Sequence, residues 1–246
     1  MKIKWLGPHN ETISQHLINH EIHQTENPVS NLSGYDLVVS FNYKYIISKP
    51  TLMTADCDVI NIHISYLPFN RGAHPNFWAH YDGTPHGVTI HKVDSGVDTG
   101  PIIWQRLVAF APHETTFALT HARLVTEAEQ LFIDHIDQIT GESLPAAPQR
   151  GTGTHHKTTD LPKEFLGWNC HIDKEILRLK TIEQTRLNHK LHIIDQIEAV
   201  RSRNNVNWMD LLRLAFKKSP KEAEQIMARI NHDDTEISSL LKQLAE

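Results

Sequence analysis

Asn61 and His63 stand two residues apart in the run Val59-Ile60-Asn61-Ile62-His63, and the aspartate and glycine loop Asp94-Ser95-Gly96-Val97-Asp98-Thr99-Gly100 follows some thirty residues later. An amide, an imidazole and a carboxylate suit reactions in which charge builds on a carbonyl oxygen. The amide can donate to that oxygen. The imidazole, with an unperturbed pKa of about 6.5, can take or return a proton near neutrality, and a carboxylate can orient it or hold its charged form. This chemistry needs no covalent nucleophile and no metal.

These residues must be positioned. The run 59–63 is apolar apart from Asn61 and His63, as expected of a buried strand, and period two puts both polar side chains on one face. Lys2 to Leu6 and Asp36 to Ser40 read as further strands, Glu11 to His20 as a helix, and Ser48-Lys49-Pro50 as the start of a short one. Strand, helix, strand is the rhythm of a parallel sheet, whose ligands lie beyond the carboxyl ends of its strands. Two more strands are expected over 87–93 and 101–105, joined by the Asp98 loop, where Gly96 and Gly100 permit tight bends. Thr115 to Ile139 reads as a long amphipathic helix.

The composition narrows the class. With 246 residues, a formal net charge of -5 and two cysteines, Cys57 and Cys170, the chain reads as a cytoplasmic protein with no disulfide framework. It carries no basic face for nucleic acid and no apolar run long enough to span a membrane. The adjacent His155 and His156 have no second pair or carboxylate at metal-ligand spacing, so no metal is expected.

The run Asn61-x-His63-x-Ser65-x-Leu67-Pro68, with Gly87-x-Thr89-x-His91-x-x-Asp94-x-Gly96-x-Asp98-Thr99-Gly100 downstream, resembles the folate-dependent formyltransferases. Within that family, residues 40–47 and 65–78 are most similar to the sugar nucleotide N-formyltransferases. The resemblance spans residues 35–140 and implies an α/β fold: an abbreviated Rossmann-like parallel-sheet catalytic domain over 1–145, substrate-side strands and a linker over 146–180, and a small all-helical module over 181–246. The sheet is expected to be abbreviated because Asn61 stands earlier in this chain than in the family pattern.

The resemblance also implies roles. Asn61, His63 and Asp98 are the expected catalytic residues. Phe41, Tyr43, Tyr45, Ile46, Ile47, His91, Asp94 and Val97 are expected at 10-formyltetrahydrofolate, and His9, Asn10, Lys44, Arg71 and Trp168 at the acceptor. That acceptor is a nucleotide-linked amino-dideoxy sugar, with dTDP as the favoured carrier and the amine on carbon 4 or carbon 3, made for surface polysaccharide such as the O-antigen of lipopolysaccharide. A homodimer is expected, with the helix over 182–200 as a subunit contact. The alternatives are a methionyl-tRNA formyltransferase-like enzyme, disfavoured by the acidic charge, and a partner-docking subunit built around the helical tail. That tail reads as a helix over 182–200 and three short amphipathic helices after it, the last capped by Asp233-Asp234 and carrying Ile237, Leu240, Leu241 and Leu244.

Overall fold

A computed structural model describes residues 1–141 and 144–245, and the side chains of all of these except 203–207 and 236–245. The chain divides into two compact units, with the boundary after Lys180. In the first unit β1 (Lys2–Leu6), β2 (Glu21–Thr25), β3 (Leu37–Phe41) and β4 (Val59–His63) are joined by α1 (Glu11–Ser14) and α2 (Lys49–Leu52). A two-residue strand β5 (Arg71–Gly72) and helix α3 (Pro75–Asp82) lead to β6 (Gly87–Lys92), β7 (Ile102–Leu107), α4 (Phe117–Asp134), α5 (Ile136–Ile139) and β8 (His155–His156).

The main sheet runs β2-β1-β3-β4-β6-β7. Its first four strands are parallel, whereas β6 and β7 return antiparallel. The sheet is thus mostly parallel, as expected from the sequence, with an antiparallel pair at one side. A loop of nine residues joins β6 to β7, shorter than the crossover a parallel pair requires. Apolar residues fill both faces: Ile3, Trp5, Val39, Ile60, Ile62, Ile90, Leu124 and Phe132 share one cluster, and Leu6, Leu32, Val38, Ile47 and Val59 another.

Several local expectations change. The helix expected over 11–20 stops at Ser14, after which His16 and Leu17 make tighter bonds back to Ile13 and Ser14. Strand β2 lies where no strand was expected; its half-exposed alternation gives a weak signal. The long helix after Thr115 ends at Asp134, and α5 follows as a separate turn.

The C-terminal part is two helices, α6 (Ile172–Lys218) and α7 (Pro220–Ala245), in place of the several short ones expected. No glycine or proline occurs between Trp168 and Ser219, so nothing breaks α6. It also begins inside the segment expected to be strands and linker. Ser219 Oγ donates a 2.8 Å bond to Glu222 Oε2 at the start of α7, as the capping sequence suggested. Asp233 and Asp234 lie within α7 and cap nothing. The contacts expected of Ile237, Leu240, Leu241 and Leu244 lie outside the described residues. Among the described residues, no helix is long and apolar enough to cross a membrane.

Candidate active site

Strand β4 pairs parallel with β3 and antiparallel with β6, in a register that sets Asn61 opposite His91 and His63 opposite Thr89. Cross-strand partners share a face of the sheet, so Asn61 and His91 point the same way. Asn61 Nδ2 lies 3.2 Å from His91 Nε2 and 3.4 Å from Asp98 Oδ1. His63 Nε2 lies 3.3 Å from the Asn70 carbonyl and 3.8 Å from Asp98 Oδ2. The three expected catalytic side chains therefore converge, and His91 joins them.

The loop that delivers Asp98 is fixed at many points. Asp98 adopts the left-handed conformation (φ 53°), and its Oδ2 accepts the Gly72 N–H at 2.8 Å. Asp94 Oδ1 accepts from the Gly96 N–H at 3.0 Å and the Thr99 hydroxyl at 2.6 Å. Gly100 admits no side chain, since a Cβ there would meet the Lys92 carbonyl oxygen at 1.7 Å. From outside the loop, Gln149 Nε2 donates to the carbonyls of Asp98 and Gly100, both at 2.8 Å, while its Oε1 accepts from Arg71 Nε at 3.0 Å and Nη2 at 2.6 Å. A bridge between Ala147 and Ile102 at the start of β7 brings Gln149 into place.

Burial pushes the His63 imidazole below its ordinary pKa, although the neighbouring Asp98 acts in the opposite direction. Burial alone would raise the Asp98 carboxyl, but His63, His91 and the Gly72 N–H outweigh it and hold the group well below the usual carboxylate range. A neutral imidazole and an anionic carboxylate face the same space. The hydrogen bonds assign a proton to His63 Nε2, directed at the Asn70 carbonyl, which leaves Nδ1 as the ring's lone-pair nitrogen.

These groups line a cavity of about 1130 Å³ within the first unit. One side carries Asn42, Tyr43, Lys44, Tyr45, Ile46 and Ile47 from the loop after β3, together with His91, Asp94 and Val97. Asn42 takes the left-handed conformation (φ 53°), and the Tyr43 hydroxyl donates to the Asn27 carbonyl at 2.7 Å, which braces the loop. The other side carries His74, His121, Lys157, Thr158 and Trp168, with the Trp168 and His74 rings 5.3 Å apart. Single-ligand pockets commonly enclose roughly 300–1,000 Å³, so this one has room for two reactants.

Four expected contact residues lie outside the cavity lining. Phe41 is buried in the core, edge-on to Trp5. Asn10 caps α1 by accepting the Ile13 N–H and donates to Glu129 at 2.6 Å, and exposed His9 meets Glu11. Arg71 is committed to Gln149. Gln149, Asn70, His74, His121, Lys157 and Thr158 were not singled out in the sequence, and nothing in their spacing marks them. Among the described residues, no group of three or more His, Cys, Asp or Glu is placed to hold a metal ion.

A family model described as "Formyl transferase" matches residues 10–136, which include β4, the Asp98 loop and all of α4. This chain belongs to the formyl transferase family. Similar members of it include dTDP-4-amino-4,6-dideoxyglucose formyltransferase of Mycobacterium tuberculosis, 31% identical over 158 residues, a match covering 64% of this chain and 61% of that protein. Methionyl-tRNA formyltransferase of Burkholderia ambifaria is 36% identical over 142 residues, covering 56% of this chain and 43% of the relative. This formyl transferase therefore spans less than two thirds of the curated relatives it matches. Among solved structures, the formyltransferase PseJ from Anoxybacillus kamchatkensis, in complex with UDP-4,6-dideoxy-4-formamido-L-AltNAc and tetrahydrofolate, superposes with a TM-score of 0.65 at 34% identity, covering 71% of this chain and 97% of that one.

Proposed function

We propose that this protein transfers the formyl group of 10-formyltetrahydrofolate to the amine on carbon 4 of a 4-amino-4,6-dideoxyhexose carried on a pyrimidine nucleoside diphosphate. The observation that carries this reading is the convergence of Asn61, His63 and Asp98 on one wall of a cavity with room for two reactants. The two sugar-related proteins described above both have names or ligands that place the nitrogen on carbon 4. They differ in carrier, dTDP in one and UDP in the other. The first supports the dTDP carrier expected from the sequence, and the second keeps a UDP carrier beside it.

The chemistry follows from the residues. The sugar amine attacks the formyl carbon, a C–N bond forms, and negative charge develops on the former carbonyl oxygen. Asn61 donates to that oxygen, and one such donor is worth about 2.7–4 kcal/mol. His63 is held neutral by burial and accepts the proton the amine loses; anionic Asp98 stabilises the imidazolium that results. The bond from the formyl carbon to the folate nitrogen then breaks, and that nitrogen takes a proton, leaving tetrahydrofolate and a formamido sugar. On this reading the pterin side of the cavity is lined by the loop after β3, and Trp168, Lys157 and His74 serve the nucleotide.

The methionyl-tRNA alternative has the weaker support, because the match covers only 43% of that relative and the net charge is acidic. The setting we favour is cytoplasmic synthesis of a surface polysaccharide. We also favour a homodimer, supported by the exposed apolar residues Leu191, Ile194, Ile197 and Val200 along α6. Incubation with 10-formyltetrahydrofolate and a panel of UDP- and dTDP-linked 3-amino and 4-amino sugars tests the reading. A mass gain of one formyl-for-hydrogen exchange on a 4-amino sugar is expected; exchange on the 3-amino sugars alone would overturn the regiochemistry.

A further inference from the structure

His91 does more than line the cavity. It is 2% exposed, it lies directly across the β4–β6 pair from Asn61, and both ring nitrogens are engaged. Nδ1 lies 2.9 Å from the Lys92 carbonyl, an acceptor only, so the ring's proton sits on Nδ1 and Nε2 presents a lone pair. The Asn61 atom 3.2 Å from that lone pair must then be the amide nitrogen. The Asp98 carboxylate, beside the same atom at 3.4 Å, imposes the same choice. Two acceptors therefore fix which way round the Asn61 carboxamide faces.

The distances say more. Asn61 Nδ2, His91 Nε2 and Asp98 Oδ1 form a triangle with sides 3.2, 3.4 and 3.6 Å, and its angle at Nδ2 is about 66°. The two N–H bonds of a primary amide diverge by about 120°. Both acceptors therefore lie at the nitrogen end of the carboxamide, where its carbonyl oxygen would be repelled.

We propose that His91 is a positioning residue that, with Asp98, fixes the Asn61 carboxamide so that its nitrogen, and not its oxygen, faces the formyl oxygen. This assignment replaces the folate contact expected of the His91 side chain, and it rests on the formyl-transfer reading given above.

The test compares His91→Gln, whose side-chain oxygen can restore an acceptor near the Nε2 position, with His91→Leu, which cannot. The Leu variant is expected to lose roughly 10- to 100-fold in kcat, with the KM for 10-formyltetrahydrofolate within about twofold of the parent, and the Gln variant to recover most of the loss. Equal kcat in the Leu variant and the parent, or an equal loss in Leu and Gln at matched melting temperatures, would overturn the proposal. A readout independent of turnover is the nitrogen-15 spectrum of the histidines. His91 is expected as the Nδ1–H tautomer, and its Nε2 resonance is expected to move when Asn61 is replaced by Ala. An Nε2–H tautomer, or no movement, would overturn the positioning role even if formyl transfer holds. If the parent formylates no amino sugar, the reaction reading fails, and the spectra still decide the contact.

Discussion

Gln149→Glu is a nearly isosteric change that should separate the two halves of the clamp on the Asp98 loop. The amide works in both directions: Oε1 accepts from Arg71, and Nε2 donates to the carbonyls of Asp98 and Gly100. A glutamate keeps and strengthens the first half but turns an oxygen towards two carbonyl oxygens in the second. Each lost bond is worth about 0.5–1.5 kcal/mol, and each acceptor left unpaired adds a desolvation cost of about 1–3 kcal/mol where water cannot enter. Gln149 is half-buried, so water recovers part of that, and about 2–4 kcal/mol is the expected net loss. At roughly 2–4 °C per kcal/mol for a unit of this size, the melting temperature should fall by roughly 5–15 °C. Because a misplacement of about 1 Å can cost about 10²-fold in rate, kcat should fall by up to that factor at temperatures where the variant is folded. Thermal melts and steady-state formyl transfer, run on the same preparations, measure both. An unchanged melting temperature would refute the clamp. A lowered melting temperature with full kcat would show that Asp98 needs no such support.

Three further outcomes follow from the same geometry. Gly100→Ala should disorder the catalytic loop and cost at least about 1–3 kcal/mol, the ordinary price of overpacking, because the new Cβ meets backbone; urea titration checks it. His63 titrates below its ordinary value in the folded protein, so kcat/KM should stay flat as pH falls to about 6.5 and decline only below it. A pH-rate profile with its acid limb above 7 would contradict a neutral, buried base. Burial and the neighbouring His86 push His80 down to about 3, so the unfolded chain takes up a proton that the native state refuses as pH drops from about 6.5 towards about 3. Stability should fall across that window, by up to about 2 kcal/mol at pH 5 from this residue, less its partial exposure to solvent. His80→Leu should reduce the difference in urea midpoint between pH 7 and pH 5.

The convergence of Asn61, His63 and Asp98 was legible because strand periodicity is local. Period two places Asn61 and His63 together, and a loop rich in glycine and aspartate has few ways to fold. The boundaries of β3, β4 and β6 followed from apolar runs buried on both faces. The acceptor-side residues divide: Lys44 and Trp168 line the cavity, whereas His9, Asn10 and Arg71 are residue types that suit ligands as well as they suit caps and clamps, and only the fold reveals that Glu11 meets His9, Glu129 and Ile13 meet Asn10, and Gln149 meets Arg71. Gln149 itself depends on a bridge to β7 that joins residues far apart in sequence. The α6 helix departs from the sequence expectation for a different reason: its apolar periodicity comes in patches, although no glycine or proline divides them.

If Asn61, His63 and Asp98 form one formyl-transfer centre, single-turnover transfer from 10-formyltetrahydrofolate to the accepted amino sugar will depend on each of them. The parent should form the formamido product, and Asn61→Ala, at an unchanged melting temperature and with folate still bound, should slow that step by about 10²–10³-fold, the loss typical of removing an oxyanion donor. Transfer at the parental rate by the Asn61→Ala protein would contradict the account.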